Sequence, residues 1–318
     1  MTSTRGRAAM PVLVAALAAV GALAASSSAA ARAAQPRGLP SGHGTAPSAS
    51  WYWTMAVSSA DPNVLVLGTS NGLYRSADGG KTWHSTGPRG IEPTSVVQVG
   101  NAIFAGGAAV APQASPVTTT ASGRTAPHGH PLLAASSDGG RTWRELHPLG
   151  LPNVSLQALA VDPGSSAVLY AVLTSGQLYR STDAGRSFRL VSPKTEQTPW
   201  ALAVTRGGHF IAGDMDTGSY LSANGKVWQH TDFADRSGSE MVMEYAVQPT
   251  DSSRVLLSSE GIEMSTDGGR TWQVALRSNV MFGPVAWAPG TSAVAYAVGF
   301  DGSVWRSDDS GERWTEVS

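Results

Sequence analysis

The stretch Ser76-Ala-Asp78-Gly-Gly80-Lys-Thr82-Trp83 decides the fold, because the chain repeats it along most of its length. Similar phrases begin at five later serines, the last named being one residue short: Ser136, Ser181, Ser265, Ser307 and Ser222. Successive copies begin 41 to 45 residues apart, except for an interval of 60 residues between the first two. A repeat period in the forties, built from short strands and turns, is typical of the blades of a β-propeller.

The residue types within the repeat suit a tight turn that is held against a sheet. The aspartate can accept hydrogen bonds from the backbone of its own turn, and glycine supplies a conformation with positive φ. The aromatic residue at the end of the phrase can bury a large ring against its blade. We therefore expect structural, non-catalytic roles for the aspartates and aromatic residues of the five full copies: Asp78, Trp83, Asp138, Trp143, Asp183, Phe188, Asp267, Trp272, Asp309 and Trp314.

The repeated phrase closely resembles the Asp-box, or bacterial neuraminidase repeat, and the resemblance covers the chain from about residue 51 to residue 318. In that family the phrase forms the turn between the third and fourth strands of a propeller blade. The resemblance therefore implies an all-β fold of four-stranded antiparallel blades. It also implies two kinds of relative, namely sialidase-like hydrolases and ligand platforms such as sortilin ectodomains and photosystem assembly factors.

Alternating apolar residues between the repeats predict the strands of each blade. In the third unit they predict strands at residues 156–161, 168–172, 177–180 and 187–190. The equivalents of the first, innermost strand are predicted at residues 53–57, 96–99, 200–204, 243–247 and 284–287. Six units of about 45 residues fill residues 51–318. We therefore predict a six-bladed propeller with no strand exchanged between its first and last blades.

The N-terminus predicts export from the cytoplasm. Arg5 and Arg7 precede an apolar run at residues 10–25, and small residues surround Ala31-Arg32-Ala33, as in a cleaved secretory signal peptide. The run has 16 residues, whereas a membrane-spanning helix needs about 20, so we expect no membrane span in the mature chain. We assign residues 1–33 to the signal peptide of a secreted, extracellular protein and residues 34–50 to a disordered leader.

Composition excludes several other classes of protein and site. The chain has no cysteine, and therefore no disulfide, thiolate metal site or cysteine nucleophile. Lys and Arg number 22 and Asp and Glu 23, so the net charge of −1 does not favour nucleic acid. The pairs His128/His130 and Asp214/Asp216 lack further ligands at a diagnostic spacing, so we predict no metal and no cofactor. We expect a monomer.

Binding residues are expected on the face opposite the Asp-box turns, because variable loops on a rigid scaffold carry most binding sites. The long interval between the first two copies contains an insertion at about residues 108–131, which we expect to be mobile and to lie on that face. The inner strands begin at the same face and surround the mouth of the central channel. They supply the candidate ligand-binding residues Trp53, Gln157, Trp200, Glu244 and Phe282.

Glu244 is the most unusual of these candidates. When the inner strands are aligned, its column is otherwise small or apolar, and it lies where the strands converge. An unpaired buried carboxylate is costly, so we expect Glu244 to be paired, protonated or functional. We predict a site in which Glu244 is the polar anchor and the rings of Trp53 and Trp200 are platforms. A structural salt bridge from Glu244 to another blade is the alternative.

Sialidase activity is not expected, because the motifs of those enzymes are missing. Sialidases of the family hold the substrate carboxylate with three inward arginines, one of them in an Arg-Ile-Pro motif, which this chain lacks. Arg75, Arg180 and Arg306 recur, but each belongs to the strand that enters an Asp-box, away from the axis. Sialidases also use a Tyr nucleophile that is paired with a Glu. Here Glu244 and Tyr245 are adjacent in one strand, so their side chains point to opposite faces and cannot form that pair.

Two functions remain open. The first is a secreted, non-catalytic propeller that binds a glycan or an extracellular protein on the face opposite the Asp-boxes. The second is a glycoside hydrolase with a pair of carboxylates near the central channel. Its candidate acids are Glu244, Asp214, Asp216, Glu260 and Asp301. The sequence favours binding and leaves the enzyme question open.

Overall fold

The computed structural model describes residues 44–109, 131–165, 167–194, 199–214, 218–231, 233, 240–291 and 293–318. Within these ranges the chain forms 24 strands in six sheets of four strands each. Blades 1 and 2 contain β1 (Tyr52–Val57), β2 (Leu65–Thr69), β3 (Gly72–Ser76), β4 (His84–Thr86), β5 (Ile91–Val99), β6 (Ala102–Ala109), β7 (Pro131–Ser136) and β8 (Arg144–Leu146). Blades 3 and 4 contain β9 (Leu156–Val161), β10 (Leu169–Leu173), β11 (Leu178–Ser181), β12 (Arg189–Ser192), β13 (Ala201–Val204), β14 (Phe210–Asp214), β15 (Gly218–Ser222) and β16 (Gln229–His230). Blades 5 and 6 contain β17 (Glu244–Val247), β18 (Val255–Ser258), β19 (Gly261–Ser265), β20 (Gln273–Arg277), β21 (Phe282–Trp287), β22 (Ala295–Gly299), β23 (Val304–Ser307) and β24 (Thr315–Glu316).

The predicted six-bladed propeller is confirmed. In each blade the strands pair in chain order, and neighbours are antiparallel, as in β9 with β10 and β10 with β11. The first strands of successive blades contact one another around the ring, and β21 of blade 6 contacts β1 of blade 1. The inner strand β9 has the predicted bounds, whereas β5 begins at Ile91 instead of residue 96. It continues through an irregular register between Pro93 and Ser95, because β6 is long enough to pair with the extension.

Each Asp-box forms the turn between the third and fourth strands of its blade. In the second copy, the Ser136 hydroxyl donates to Oδ1 of Asp138 (2.8 Å) and accepts from the amide of Gly140 (2.9 Å). The Thr142 hydroxyl donates to Oδ2 of Asp138 (2.6 Å) and the Thr142 amide donates to Oδ1 (2.9 Å). The hydroxyl first, and then the amide, hold the pKa of Asp138 well below its usual range. Both bonds favour the charged carboxylate, which is thereby committed to its own turn.

The aromatic ring of each repeat packs between neighbouring blades. Trp143 Nε1 donates to the carbonyl oxygen of Gly140 (3.1 Å), and the ring packs against a cluster that includes Val66 of blade 1 and Val96 of blade 2. The corresponding rings belong to the other interblade clusters: Trp83, Phe188, Trp228, Trp272 and Trp314. The apolar core is therefore divided among the interfaces between blades.

The ring closes by apolar packing and hydrogen bonds between blades 1 and 6. Leu65 and Leu67 of blade 1 share one buried cluster with Tyr296 and Val298 of blade 6. Arg306 of β23 donates through Nη1 to Oδ1 of Asn63 in blade 1 (3.0 Å). Among the described strands, no sheet combines strands from the first and last blades, as predicted.

Residues 44–50 pack on the propeller, so the expectation of a disordered leader is wrong for this part of it. The amide of Ala46 donates to the carbonyl oxygen of Gly302 in blade 6 (3.0 Å). The side-chain amide of Asn71 in blade 1 donates to the carbonyl oxygen of Ser48 (2.9 Å). This segment, which we call the strap, thus bridges the two blades that close the ring. Composition missed it because the bonds use backbone carbonyl and amide groups that every residue type carries.

Other sequence expectations fall outside the described residues. These include the signal peptide at residues 1–33, the leader up to residue 43, and residues 110–130 of the insertion. The ends of the expected insertion are strand residues, because β6 extends to Ala109 and β7 begins at Pro131.

The two faces of the ring are defined by their turns. The Gly79 amide in the first Asp-box donates to the carbonyl oxygen of Asn63 in the turn between β1 and β2 (2.9 Å). Gly268 makes the same bond to Ser253 in blade 5 (2.8 Å). The turns after the inner strands and the Asp-boxes therefore share one end, the Asp-box face. The turns after the second strands, such as residues 70–71, and the connections between blades lie on the opposite face.

Candidate functional site

The inner strands of all six blades surround the axis in layers. Aligned on their shared Ala-Val pattern, they place one residue each in a layer nearer the opposite face: Trp53, Ser95, Gln157, Trp200, Met243 and Gly283. The next layer towards the Asp-box face contains Thr54, Val96, Ala158, Ala201, Glu244 and Pro284. Contacts join three members of this second layer, because the Thr54 hydroxyl group lies 2.9 Å from the amide of Val96 and 3.2 Å from Oε1 of Glu244.

Of the two carboxyl oxygens of Glu244, one accepts a hydrogen bond and the other has no partner within the described residues. Its Oε1 accepts from the Thr54 hydroxyl, and its backbone amide donates to Oγ of Ser258 (3.1 Å). Its Oε2 is buried and makes no hydrogen bond within the described residues. Burial raises the pKa of the Glu244 carboxyl well above its usual range, and the bond from Thr54 only partly opposes this. The neutral, protonated carboxyl is therefore favoured.

Glu244 lies at the inner end of an axial cavity of about 330 Å³. The cavity is bounded by the later residues of all six inner strands and reaches the turns that follow them, at Gly100, Asp162, Pro249 and Pro289. Those turns belong to the Asp-box face, so the cavity opens there. Its wall is mainly small and apolar, with residues such as Ala56, Val96, Ala160, Leu202, Ala246 and Val285.

Three stacked indoles lie on the other side of Glu244. The rings of Trp51 and Trp53 are nearly parallel, with centroids 5.1 Å apart. Trp53 also stacks on Trp200 of blade 4, at 6.3 Å and 29°. Blades 1 and 4 stand opposite each other in a ring of six, so this contact crosses the axis. None of the three rings lines the cavity, and in the aligned strands Trp53 and Trp200 lie one layer nearer the opposite face than Glu244 does.

The structure brings only some of the candidate ligand-binding residues together. Trp53 and Trp200 meet at the axis and are half-buried, next to the layer of Glu244. Gln157 is buried, and Phe282 is fully buried against Trp305 in the core between blades 5 and 6. As placed, neither Gln157 nor Phe282 presents a surface to a ligand on the opposite face.

Two residues of the site escaped the sequence analysis. Trp51 lies just before β1 and stacks on Trp53, and Thr54 is the hydrogen-bond partner of Glu244. Thr54 occupies the same alignment column as Glu244, so a polar residue in that column was the signal available. The alternative of a salt bridge to another blade finds no support within the described ranges, where no Lys, Arg or His pairs with Glu244.

The other acids considered for a hydrolase do not join Glu244 in the described structure. Glu260 is exposed, and Asp301 accepts bonds from the amide and hydroxyl of Ser303 in its own turn (3.0 and 2.6 Å). The side chain of Asp214 and the whole of Asp216 lie outside the described residues. The one further acid along the cavity is Asp162 at its mouth, whose Oδ1 accepts from the amide of Gly164 (2.8 Å).

Two of the recurring arginines bridge neighbouring blades. Arg75 Nε donates to the carbonyl oxygen of Gly139 in the next Asp-box (2.7 Å), and Arg306 Nη1 donates to Oδ1 of Asn63 in blade 1 (3.0 Å). Arg180 Nε donates to the hydroxyl of Tyr170 within blade 3 (3.1 Å). Their third-strand positions keep them from forming an axial carboxylate site.

The described part of the chain contains neither a cluster of metal ligands nor a membrane-spanning helix. It brings together no group of three His, Asp or Glu side chains that could hold a metal ion. It also contains no helix with the length and apolar character needed to span a membrane.

Comparison with known proteins agrees with this architecture. Residues 74–85 match the BNR/Asp-box repeat family, and no curated protein matches the chain. A chain of a nidogen/laminin complex aligns over 80% of this chain and 92% of its own length, with 10% identity and a TM-score of 0.56. YCF48 bound to D1 peptide aligns over 86% and 82%, with 19% identity and a TM-score of 0.48. A GH74 enzyme from Niastella koreensis aligns over 82% and 45%, with 17% identity and a TM-score of 0.46.

Identities this low say nothing of function, and the architecture rests on the repeats and the sheet order. The chain is therefore a six-bladed β-propeller that carries BNR/Asp-box repeats.

Proposed function

We propose that the chain is a secreted, non-catalytic propeller that binds a glycan or an extracellular protein on the face opposite the Asp-boxes. The observation that carries the proposal is the stack of Trp51, Trp53 and Trp200 at the centre of that face. Tryptophan dominates the energetics of protein interfaces and offers flat rings to sugars. Mutual stacking fixes these rings in advance, so a ligand would lose little binding energy in ordering them.

Glu244 takes a different place in this proposal from the one the sequence suggested. It lies beneath the indoles, on the cavity side, and its carboxyl reaches no ligand that rests on the opposite face. The polar contacts for such a ligand would come from the surrounding turns. Asn71 and Asp301 lie in two of these turns, after β2 and β22.

The glycoside hydrolase is kept as the alternative outcome. Glu244 has the raised pKa of a general acid, but a hydrolase needs a second carboxylate roughly 5–10 Å away. The described residues supply no second carboxylate at the inner end of the cavity.

Binding is tested with the secreted chain on a glycan array and a panel of extracellular proteins, followed by titration of each ligand found. Trp200→Ala should weaken binding at least about tenfold, which is the loss typical of an aromatic hot spot. Val227→Ala is the matched control, because Val227 is 66% exposed in the shortened repeat on the Asp-box face. A thermal melt of each variant confirms folding, and Trp200→Phe tests whether a smaller ring restores binding.

Two results would reject this function. Binding by Trp200→Ala that equals the parent, in a folded variant, places the ligand elsewhere. Hydrolysis of a bound glycan that Glu244→Gln abolishes would establish the alternative.

Export is part of the same proposal and has its own test. The charged, apolar and small-residue pattern of residues 1–33 supports it. Expressed in full, the chain should collect outside the cytoplasm, with its N-terminal sequence beginning near residue 34. Retention of residues 1–33 in the cytoplasm would reject it.

A further inference from the structure

We propose that the axial cavity is a second ligand site, which binds a small, largely apolar organic molecule through one oxygen that accepts a hydrogen bond from Glu244. The ligand enters from the Asp-box face. This site is independent of the proposed binding surface on the opposite face.

The volume and the lining of the cavity determine the size and the polarity of the ligand. A volume of about 330 Å³ is at the lower end of ligand pockets in proteins, so the molecule has on the order of ten non-hydrogen atoms. The wall is formed by side chains such as Ala160, Leu202, Ala203 and Val285, which offer van der Waals contact but no charge. An apolar body is therefore favoured over a sugar ring, whose hydroxyl groups would go unpaired there.

The carboxyl of Glu244 determines which polar group of the ligand can bind at the inner end of the cavity. The amide of Val96 donates to Oγ1 of Thr54, which leaves the hydroxyl proton for Oε1 of Glu244 at 3.2 Å or the Val96 carbonyl oxygen at 3.4 Å. When Thr54 donates to the nearer of these acceptors, Oε1, the proton of the neutral carboxyl falls on Oε2, which has no partner within the described residues. The terminal carboxyl torsion is soft, so a small rotation turns the Oε2 hydroxyl towards the cavity. A ketone, ether or alcohol oxygen then completes its hydrogen bonding.

Among the described residues, few other titratable groups line the cavity or lie near Glu244. Along the cavity they are Asp162 at the mouth and Tyr245, whose hydroxyl donates to the carbonyl oxygen of Ala212 (3.4 Å). On the neighbouring β1, the hydroxyl of Tyr52 donates to the carbonyl oxygen of Pro47 (2.8 Å). No described Lys, Arg or His lines the cavity. The protonation state of Glu244 therefore controls the polarity of the inner end.

The experiment uses two probes of one shape, 4-tert-butylcyclohexanone and 4-tert-butylcyclohexylamine. Binding to the secreted chain is followed by NMR of the Ala, Val and Leu methyl groups. The ketone should shift the methyl signals of the cavity wall, with Ala160 and Leu202 among them, and its affinity should fall as the pH rises through the pKa of Glu244. The amine should bind more weakly than the ketone at neutral pH.

Variants separate the hydrogen bond from the shape of the cavity. Glu244→Leu should weaken ketone binding about tenfold, because it removes the side-chain donor that the described residues place at the inner end. Glu244→Gln keeps a donor, so it should bind the ketone within a few-fold of the parent but without the pH dependence. Glu316→Leu makes the same chemical change at an exposed site in β24 and should leave binding unchanged.

Three results would overturn the inference. One is the absence of shifts at the cavity methyl groups with either probe. Another is an amine that binds more tightly than the ketone and gains affinity with rising pH, since this assigns an ionised Glu244 and a cationic ligand. The third is ketone binding by Glu244→Gln that keeps the pH dependence of the parent, and this result remains decisive even where Glu244→Leu does not fold.

Discussion

Substitution of Gly80 by alanine should destabilise the propeller at the place where the ring closes. Gly80 lies in the first Asp-box at φ +94°, and a Cβ atom there would lie 2.8 Å from Cγ1 of Val304 in blade 6. Val304 is fully buried and branched at Cβ, so its methyl group has little room to move. Gly207 is the matched control, because it has φ +97° and a Cβ atom there meets nothing within 4 Å.

The two variants share the backbone cost and differ in packing. Positive φ costs a non-glycine residue about 1–3 kcal/mol, and loss of glycine from the unfolded chain returns about 0.4–1 kcal/mol. Overpacking adds about 1–3 kcal/mol for Gly80→Ala alone. We therefore expect Gly80→Ala to be about 2 kcal/mol less stable than Gly207→Ala, which lowers the melting temperature by roughly 4–8 °C more.

Urea denaturation followed by tryptophan fluorescence measures both free energies of unfolding. A double-mutant cycle with Val304→Ala should recover part of the difference, because it removes the methyl group that the new Cβ atom meets. Equal stability of Gly80→Ala and Gly207→Ala would refute the reasoning, as would strictly additive effects of Gly80→Ala and Val304→Ala.

Three further predictions concern stability. Asp138→Ala should cost about 1–3 kcal/mol of stability through loss of the charge-assisted turn bonds, and Asn224→Ala should cost less because the Asn side chain is neutral. Because the folded pKa of Asp138 is lowered, the stability that Asp138 contributes should be present above about pH 4 and fade below it. A pH-independent loss of stability in urea titrations would contradict this. Glu244→Gln should stabilise the chain at pH 8 but not at pH 4, because the folded pKa of Glu244 is raised above its unfolded pKa of about 4.5, so the parent keeps its full stability below that pH and loses stability as the pH rises; thermal melts that show no gain at pH 8 would count against a buried neutral carboxyl. Deletion of residues 44–50 from the mature chain should lower stability by about 1–2 kcal/mol, since the strap is held mainly by exposed hydrogen bonds, and an unchanged melting temperature would show that the strap does not contribute to closure.

Local chemistry made the blades predictable. The Asp-box is a turn whose aspartate, serine and glycine bond to one another within a few residues, as Ser136, Asp138 and Gly140 do. Such a motif can be recognised from a few neighbouring residues, and it marks the turn between the third and fourth strands of a blade. The regular spacing of the copies then predicts the number of blades. Glu244 was also found from sequence, because a charge in an apolar column departs from the repeat.

Contacts across the axis were not predictable in the same way. Trp53 and Trp200 are far apart in the chain, and their stacking depends on the diameter of the closed ring. The sequence therefore did not show that indole rings meet across the axis, or that the cavity reaches the turns of the Asp-box face. Phe282 does not reach the axis as Trp53 does, and the reason is its position in the strand. It lies four residues before Ala286, whereas Trp53 lies three residues before Ala56. Alternation along a strand turns these two rings to different sides, and Tyr52, which shares the offset of Phe282, is likewise buried.

Closure without a shared strand among the described sheets gives a protein engineer a choice of where the chain begins. Because no strand joins the described sheets of blades 1 and 6, a short linker from Ser318 to Trp51 would resemble the other connections from an outer to an inner strand. New termini then fit at residues 87–90, the brief connection between β4 and β5. Such a circular permutant keeps all six blades and moves any fused tag away from the seam between the last and first blades.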